Sequence, residues 1–154
     1  MWRPTGATGH LKATGTNKLT AAGDGSPCIY STGDISVSGA TGSAATSQTM
    51  VIEGQNSITL TDSTLTSTGT AGMMIYQSFS GDAANSDATS SKATMTIANS
   101  TITTSGSVPM IYVTNTTCDV KVTGSTLTHP ASTPLLSLAE DKWGTSGSNG
   151  GLRP

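Results

Sequence analysis

Short apolar clusters recur along this chain, each bounded by Gly, Asn, Asp or Ser, and they sort into three classes. A tyrosine-bearing class reads Ser26-Pro27-Cys28-Ile29-Tyr30, Gln48-Thr49-Met50-Val51-Ile52, Ala71-Gly72-Met73-Met74-Ile75-Tyr76, Val108-Pro109-Met110-Ile111-Tyr112 and Thr133-Pro134-Leu135-Leu136. An alternating class follows it: Asp34-Ile35-Ser36-Val37, Ser57-Ile58-Thr59-Leu60, Thr94-Met95-Thr96-Ile97 and Asp119-Val120-Lys121-Val122. A threonine class comes soon after: Ser63-Thr64-Leu65-Thr66, Ser100-Thr101-Ile102-Thr103 and Ser125-Thr126-Leu127-Thr128. Lys18-Leu19-Thr20 fits this last class, as the remnant of a coil whose earlier strands are degraded.

The spacing of the clusters sets the architecture. Val51 lies 22 residues after Ile29, Ile75 lies 24 after Val51, and Leu136 lies 25 after Ile111. The step from Ile75 to Ile111 is 36, and the polar stretch 77–92 accounts for the excess as a loop inserted into one coil. Three short strands in a period of roughly 22–25 residues predict an all-β fold, a parallel β-helix (three-sheet β-solenoid) of about five coils. No window carries an apolar i, i+3, i+4 stripe over three turns, so helices are not expected. Residues 1–17 read as an irregular segment or cap and 18–142 as the β-helix domain with its inserted loop. Residues 143–154 read as a Gly/Ser-rich tail.

Side chains of a strand alternate between its two faces. In the alternating class Ile35 and Val37, Ile58 and Leu60, Met95 and Ile97, and Val120 and Val122 are expected inside, with Ser36, Thr59, Thr96 and Lys121 in water. In the threonine class a single aliphatic (Leu65, Ile102 or Leu127) points in. Gly42-Ser43 stands where a Leu-Thr is expected, which predicts a hole. The tyrosine class aligns as a middle column, Ile29, Val51, Ile75, Ile111 and Leu136, flanked by Cys28/Met50/Met74/Met110/Leu135 and Tyr30/Ile52/Tyr76/Tyr112/Ser137. Both of its faces are apolar. One faces the core, and the other needs a partner, a covering loop or a ligand.

Composition changes the picture in two places. Ser and Thr make up about a third of the 154 residues and charged residues 10%, a balance often seen in disordered chains. The regular β-branched and Met clusters exclude that reading. The net charge of -2 and the absence of any Lys/Arg cluster argue against a nucleic-acid partner. No apolar run approaches the length of a membrane span, and no leader's apolar segment is visible at the N-terminus. Cys28 and Cys118 are too few for a disulfide framework and lack CxxC spacing; free buried thiols are expected, and a single bridge requires the fold to bring them together.

The stacked V-x-I strands resemble the right-handed parallel β-helices of the pectate-lyase-like superfamily. The phrases Gly25-Ser26-Pro27 through Gly33-Asp34-Ile35, Val51-Ile52-Glu53-Gly54, Tyr76-Gln77-Ser78 with Ser80-Gly81-Asp82, and Trp143-Gly144-Thr145-Ser146-Gly147 are similar to a group of uncharacterised bacterial secreted or surface proteins with that fold. The resemblance spans roughly residues 24–151 and implies an extracellular or cell-surface location. It is weak for function, since the superfamily includes lyases, hydrolases, adhesins and passenger domains.

The catalytic constellations of those enzymes are not visible. Arg is absent between Arg3 and Arg153, and the carboxylates Asp34, Glu53, Asp62, Asp82, Asp87 and Asp119 are scattered. Asp82 and Asp87 on the inserted loop fall short of the six to eight oxygens that Ca²⁺ takes. His10 and His129 are too isolated for a metal site. No catalytic residue, metal or cofactor is therefore expected, and the expected function is a non-catalytic surface module.

Three surfaces remain. The first is an apolar strip of Tyr30, Tyr76 and Tyr112 with Met74 and Met110, which would bind polysaccharide or another surface component if it faces outward; inward or loop-covered tyrosines are the alternative. The second is a ladder of Thr64, Thr101 and Thr126 with Thr66, Thr103 and Thr128, of the kind seen on ice-binding solenoids and broken at Gly42. β-Propensity and solubility explain the same threonines without a ligand. The third is the pair of coil ends, where unpaired strand edges allow end-to-end self-association into an oligomer or fibre.

Overall fold

In a computed structural model the described residues are 11–31, 33–53, 56–68, 73–76, 93–114 and 118–139, with the backbone path alone for 53, 73–76, 114, 138 and 139. They form fifteen strands in three five-stranded parallel sheets. The chain visits the sheets in strict rotation, so every third strand lies beside its equivalent in the next rung.

The alternating sheet is built from β1 (Leu11–Ala13), β4 (Ile35–Ser38), β7 (Ser57–Thr61), β10 (Ala93–Ala98) and β13 (Cys118–Thr123). The threonine sheet contains β2 (Asn17–Ala21), β5 (Ala40–Ala44), β8 (Thr64–Ser67), β11 (Thr101–Thr104) and β14 (Thr126–Thr128). The tyrosine sheet contains β3 (Ile29–Ser31), β6 (Met50–Glu53), β9 (Met73–Tyr76), β12 (Ile111–Thr114) and β15 (Leu136–Ala139). The chain is thus a parallel β-solenoid. Its first rung begins earlier than the sequence suggests: β1 lies within the segment 1–17 read as irregular and pairs with β4 through Leu11↔Ile35 and Ala13↔Val37. The inserted loop 77–92 and the tail 143–154 lie outside the described residues.

One core runs up the axis. Ile35, Val37, Ile58, Leu60, Met95 and Ile97 enter it from the alternating sheet, and Leu65 and Ile102 from the threonine sheet. From the tyrosine sheet come Ile29, Met50, Ile52, Ile111 and Val113, with Met110 just ahead of β12. Burial of each such aliphatic chain contributes about 1.5–3 kcal/mol relative to exposure. The hole expected at Gly42 is filled. Gly42 lies in register between Leu19 and Leu65, and a Cβ there would stand 2.8 Å from Leu65 Cδ2. Leu65 leans across the missing side chain, so the rung loses a side chain and keeps its packing.

The corner between the alternating and threonine sheets explains the turn residues. Gly39, Asp62, Asn99 and Gly124 occupy equivalent positions in successive rungs, each with positive φ (70°, 50°, 49° and 57°). Left-handed backbone is tolerated best by Gly, Asn and Asp, which is why only those types stand here. The next residue in three rungs is Ser63, Ser100 or Ser125, and these bond from rung to rung. Ser63 N–H donates to Ser100 Oγ at 3.1 Å and Ser100 N–H to Ser125 Oγ at 3.0 Å, while Ala40 N–H donates to Ser63 Oγ at 3.0 Å. Each hydroxyl in turn donates to the carbonyl two residues back, at Thr61, Ala98 and Thr123.

This ladder makes Ser100 a structural residue. Ser100→Ala leaves the Ser63 N–H buried with no acceptor, which costs about 1–3 kcal/mol. Urea unfolding is expected to show that loss. A stability within a few tenths of a kcal/mol of wild type would mean the ladder is not stabilising.

Candidate functional site

The outer rows of the three sheets differ, and that difference locates the candidate surface. In the threonine sheet one outward row reads Lys18, Thr41, Thr64, Thr101 and Thr126. The second reads Thr20, Ser43, Thr66, Thr103 and Thr128. Every member of the first row is exposed, as are Thr20, Ser43 and Thr128, with Thr66 and Thr103 half-buried. Gly42 does not break the array, because its neighbours Thr41 and Ser43 carry the rows through that rung. Thr41 and Ser43 are the members that the sequence pattern missed, and Thr20, on a strand already placed in this class, joins them in the rows. The signal was there in Thr41-Gly42-Ser43, and the absent inward Leu concealed it.

Neighbouring parallel strands lie about 4.8 Å apart, and residues two apart on one strand about 6.6 Å. The result is a two-by-five grid of side chains, with Lys18 its only charge, at one end. Threonine holds χ1 stiffly, so hydroxyl and methyl groups repeat with little rotamer freedom.

The alternating sheet also carries hydroxyls outside, in the row Lys12, Ser36, Thr59, Thr96 and Lys121. Lysines end that row, and Asp34 and Asp119 stand near it. Asp34 is a structural acceptor: both the Ser57 N–H and the Ser57 hydroxyl donate to its Oδ1 at 2.8 Å.

The tyrosine sheet departs from the sequence alignment by one residue at β6 and by two at β9. Ile29 stands in register with Met50, Met73, Ile111 and Leu136. Tyr30, Val51, Met74, Tyr112 and Ser137 form the next row, and Tyr76 falls with Glu53, Thr114 and Ala139. Tyr30, Tyr76 and Tyr112 therefore do not share one row. Met110 is fully buried in the core. Val51 and Tyr112 alternate with core residues and so lie on the outer side, yet their exposures are 0% and 8%. Tyr30 is partly exposed. Of the expected strip, the side chains of Met74 and Tyr76 lie outside what is described.

The polar residues do not converge on a reaction centre. Among the described residues no group of three or more His, Cys, Asp or Glu stands close enough to hold a metal ion. His129 bridges two hydroxyls, with Thr104 Oγ1 at 2.5 Å from Nδ1 and Thr133 Oγ1 at 2.5 Å from Nε2. It therefore closes the last corner rather than standing free in solvent. Gln48 is fully buried, and its Oε1 accepts from Ser47 Oγ at 2.9 Å while Nε2 has no partner. No described helix is long and apolar enough to cross a membrane.

Both cysteines are free thiols. Cys28 enters the tyrosine sheet at the first rung and Cys118 the alternating sheet at the fifth. Four rungs separate them, about 19 Å along the axis, far beyond the reach of a disulfide. Burial pushes the Cys28 thiol up, opposed by hydrogen bonding to the Ser43 and Ala21 backbone. Burial, with the Asp119 charge beside it, raises Cys118 to about 11.

Comparison with protein-family models, with curated proteins and with solved structures finds no match for this chain.

The raised thiol gives a direct test. The thiolate is the reactive form, so alkylation of Cys118 at pH 8 is expected to run roughly ten- to a hundredfold slower than that of an unperturbed cysteine. The rate is expected to climb with pH toward a midpoint near 11. Mass-spectrometric labelling that plateaus by pH 9 would contradict the burial.

Proposed function

We propose that this protein is a non-catalytic extracellular or cell-surface module whose threonine sheet binds extended polysaccharide laid along the solenoid axis. The carrying observation is the two-row grid, in which nine of ten outward positions bear a hydroxyl and five rungs hold them in register. Strand spacing of about 4.8 Å is on the order of the advance per sugar ring in an extended chain, so successive rings meet successive rungs. The stiff β-branched side chains lose little rotamer entropy on contact, which favours many weak hydrogen bonds acting together. The threonine sheet takes this role in place of the tyrosine strip, where Val51 and Tyr112 are closed to solvent and Met110 is in the core. The likeness of the strand phrases to pectate-lyase-like surface proteins, whose fold carries adhesins among other activities, agrees with a binding role.

A second reading is ordered water at an ice surface. It is favoured by the same regularity together with the single charge, at Lys18, on an otherwise neutral grid of methyls and hydroxyls.

The test places two carboxylates on the face two rungs apart, as Thr41→Glu with Thr101→Glu. Both positions are exposed, so melting should shift little. Retention on insoluble polysaccharides is expected to fall about tenfold or more, a loss of roughly 1.4 kcal/mol. Partition of the wild type into growing ice, with no retention on polymer, would replace the polysaccharide by ice. Retention by neither, or retention that the double variant leaves unchanged, would remove the threonine sheet as a binding face.

A further inference from the structure

Few charges stand on or beside the threonine face, and they are unevenly placed along it. Lys18, on β2, and Asp24, just after it, belong to the first rung. Asp62 stands at the middle of the stack, two residues ahead of Thr64, at the left-handed corner that borders the Thr64 row. Its side chain is exposed and, among the described residues, makes no hydrogen bond or ion pair. Asn99 takes the same corner one rung on, exposed and uncharged. Among the described residues the second, third and fourth rungs hold no lysine or arginine. Lys18 lies two rungs from Asp62, about 10 Å along the axis, beyond the roughly 8 Å over which charges act at physiological ionic strength. His129, past Thr128, has both ring nitrogens engaged by hydroxyls.

We propose that the polymer this face takes is an uncharged ribbon of sugar rings, that one site spans about five rings, and that Asp62 excludes acidic chains. The inference rests on the reading of the threonine sheet as a polysaccharide-binding face and narrows it to one chemical class. A chain with a carboxylate on every ring, laid along the rungs, brings one of them beside Asp62 wherever it settles. Like charges brought together at an interface oppose binding, and the middle rungs offer no ammonium in compensation. Thr and Ser hydroxyls each donate and accept, so the grid matches the hydroxyls of a neutral sugar without any charge.

The two rows set the form of the chain. In a flat ribbon each ring is turned over relative to the last, so an edge group points left at one ring and right at the next. Thr41, Thr64, Thr101 and Thr126 on one side face Ser43, Thr66, Thr103 and Thr128 on the other. Over these four rungs a ring therefore meets a hydroxyl on each side whichever way up it lies. The five rungs cover four intervals, about 19 Å. At about one ring per rung, a chain stops gaining contacts once it is about five rings long.

Retention of the 154-residue chain is measured on cellulose and on the same cellulose with its primary hydroxyls oxidised to carboxylates. At low salt the wild type is expected to hold the parent polymer about three- to tenfold more tightly than the oxidised one. The gap is expected to narrow in 1 M salt, where charges are screened beyond about 3 Å. Asp62→Asn is expected to close most of the gap, and the corner accepts it because Asn99 holds the same backbone. Soluble cello-oligosaccharides are expected to compete better with each added ring up to about five and then to level off. Equal retention on the two celluloses, or a gap that Asp62→Asn leaves intact, overturns the proposal. Retention on polygalacturonate and not on cellulose, abolished by Thr41→Glu with Thr101→Glu, overturns it while the binding face stands. Retention on no polysaccharide removes it together with the reading it rests on.

Discussion

No rung of this chain can bury its own apolar side chains. Each is three strands of at most six residues, too short and too narrow to close a core alone, so its inward residues are sheltered only by the rungs above and below. Everything else follows from that dependence on stacking. Strand edges must align at every level, which demands corners of constant geometry. That demand is met by a left-handed residue at Gly39, Asp62, Asn99 and Gly124, and by the serines that bond from one rung to the next. The corner serines satisfy N–H groups that turn out of the sheet ladders, where water does not reach: Ser63 and Ser100 are 4% and 3% exposed.

The stack also separates what the inward and outward positions are free to do. Inward positions are bound to one another along the axis, as Leu65 shows by filling the space above Gly42. Outward positions lie outside that axial packing. The threonine sheet can therefore carry a hydroxyl grid while the outer row of the alternating sheet ends in lysines and the tyrosine sheet has Val51 and Tyr112 buried on its outer side. Three unlike surfaces share one core.

The interior rungs of the alternating class were legible because their pattern fixes the faces: Ile58 and Leu60 are apolar while Ser57, Thr59 and Thr61 are polar, so a slip by one residue would turn the first pair out into solvent. The tyrosine class was legible as a strand and not as a register. Met50, Val51 and Ile52 are all apolar, as are Met73, Met74 and Ile75, so a slip by one or two residues leaves an apolar residue in the column. In the structure Ile29 pairs with Met50 rather than Val51. β1 was missed because Leu11-Lys12-Ala13 is short and has an alanine where other rungs carry a larger aliphatic residue. The candidate grid was half legible. Its three complete Thr-x-Thr rungs stood out, and its continuation through Thr41 and Ser43 needed the observation that Gly42 is an inward position.

Ile35 pairs with Ile58, 23 residues on, whereas Ile58 pairs with Met95, 37 residues on. The longer connection leaves the stack undisturbed, and Thr94 N–H still donates to Asn56 O at 3.1 Å. The fold therefore does not count residues between β9 and β10. Closing a longer excursion adds entropy only logarithmically with length, so this corner can host foreign sequence, up to a separately folding unit, as a branch on an unchanged trunk. A solenoid of this kind grows by adding rungs along its axis and diversifies by grafting at its corners.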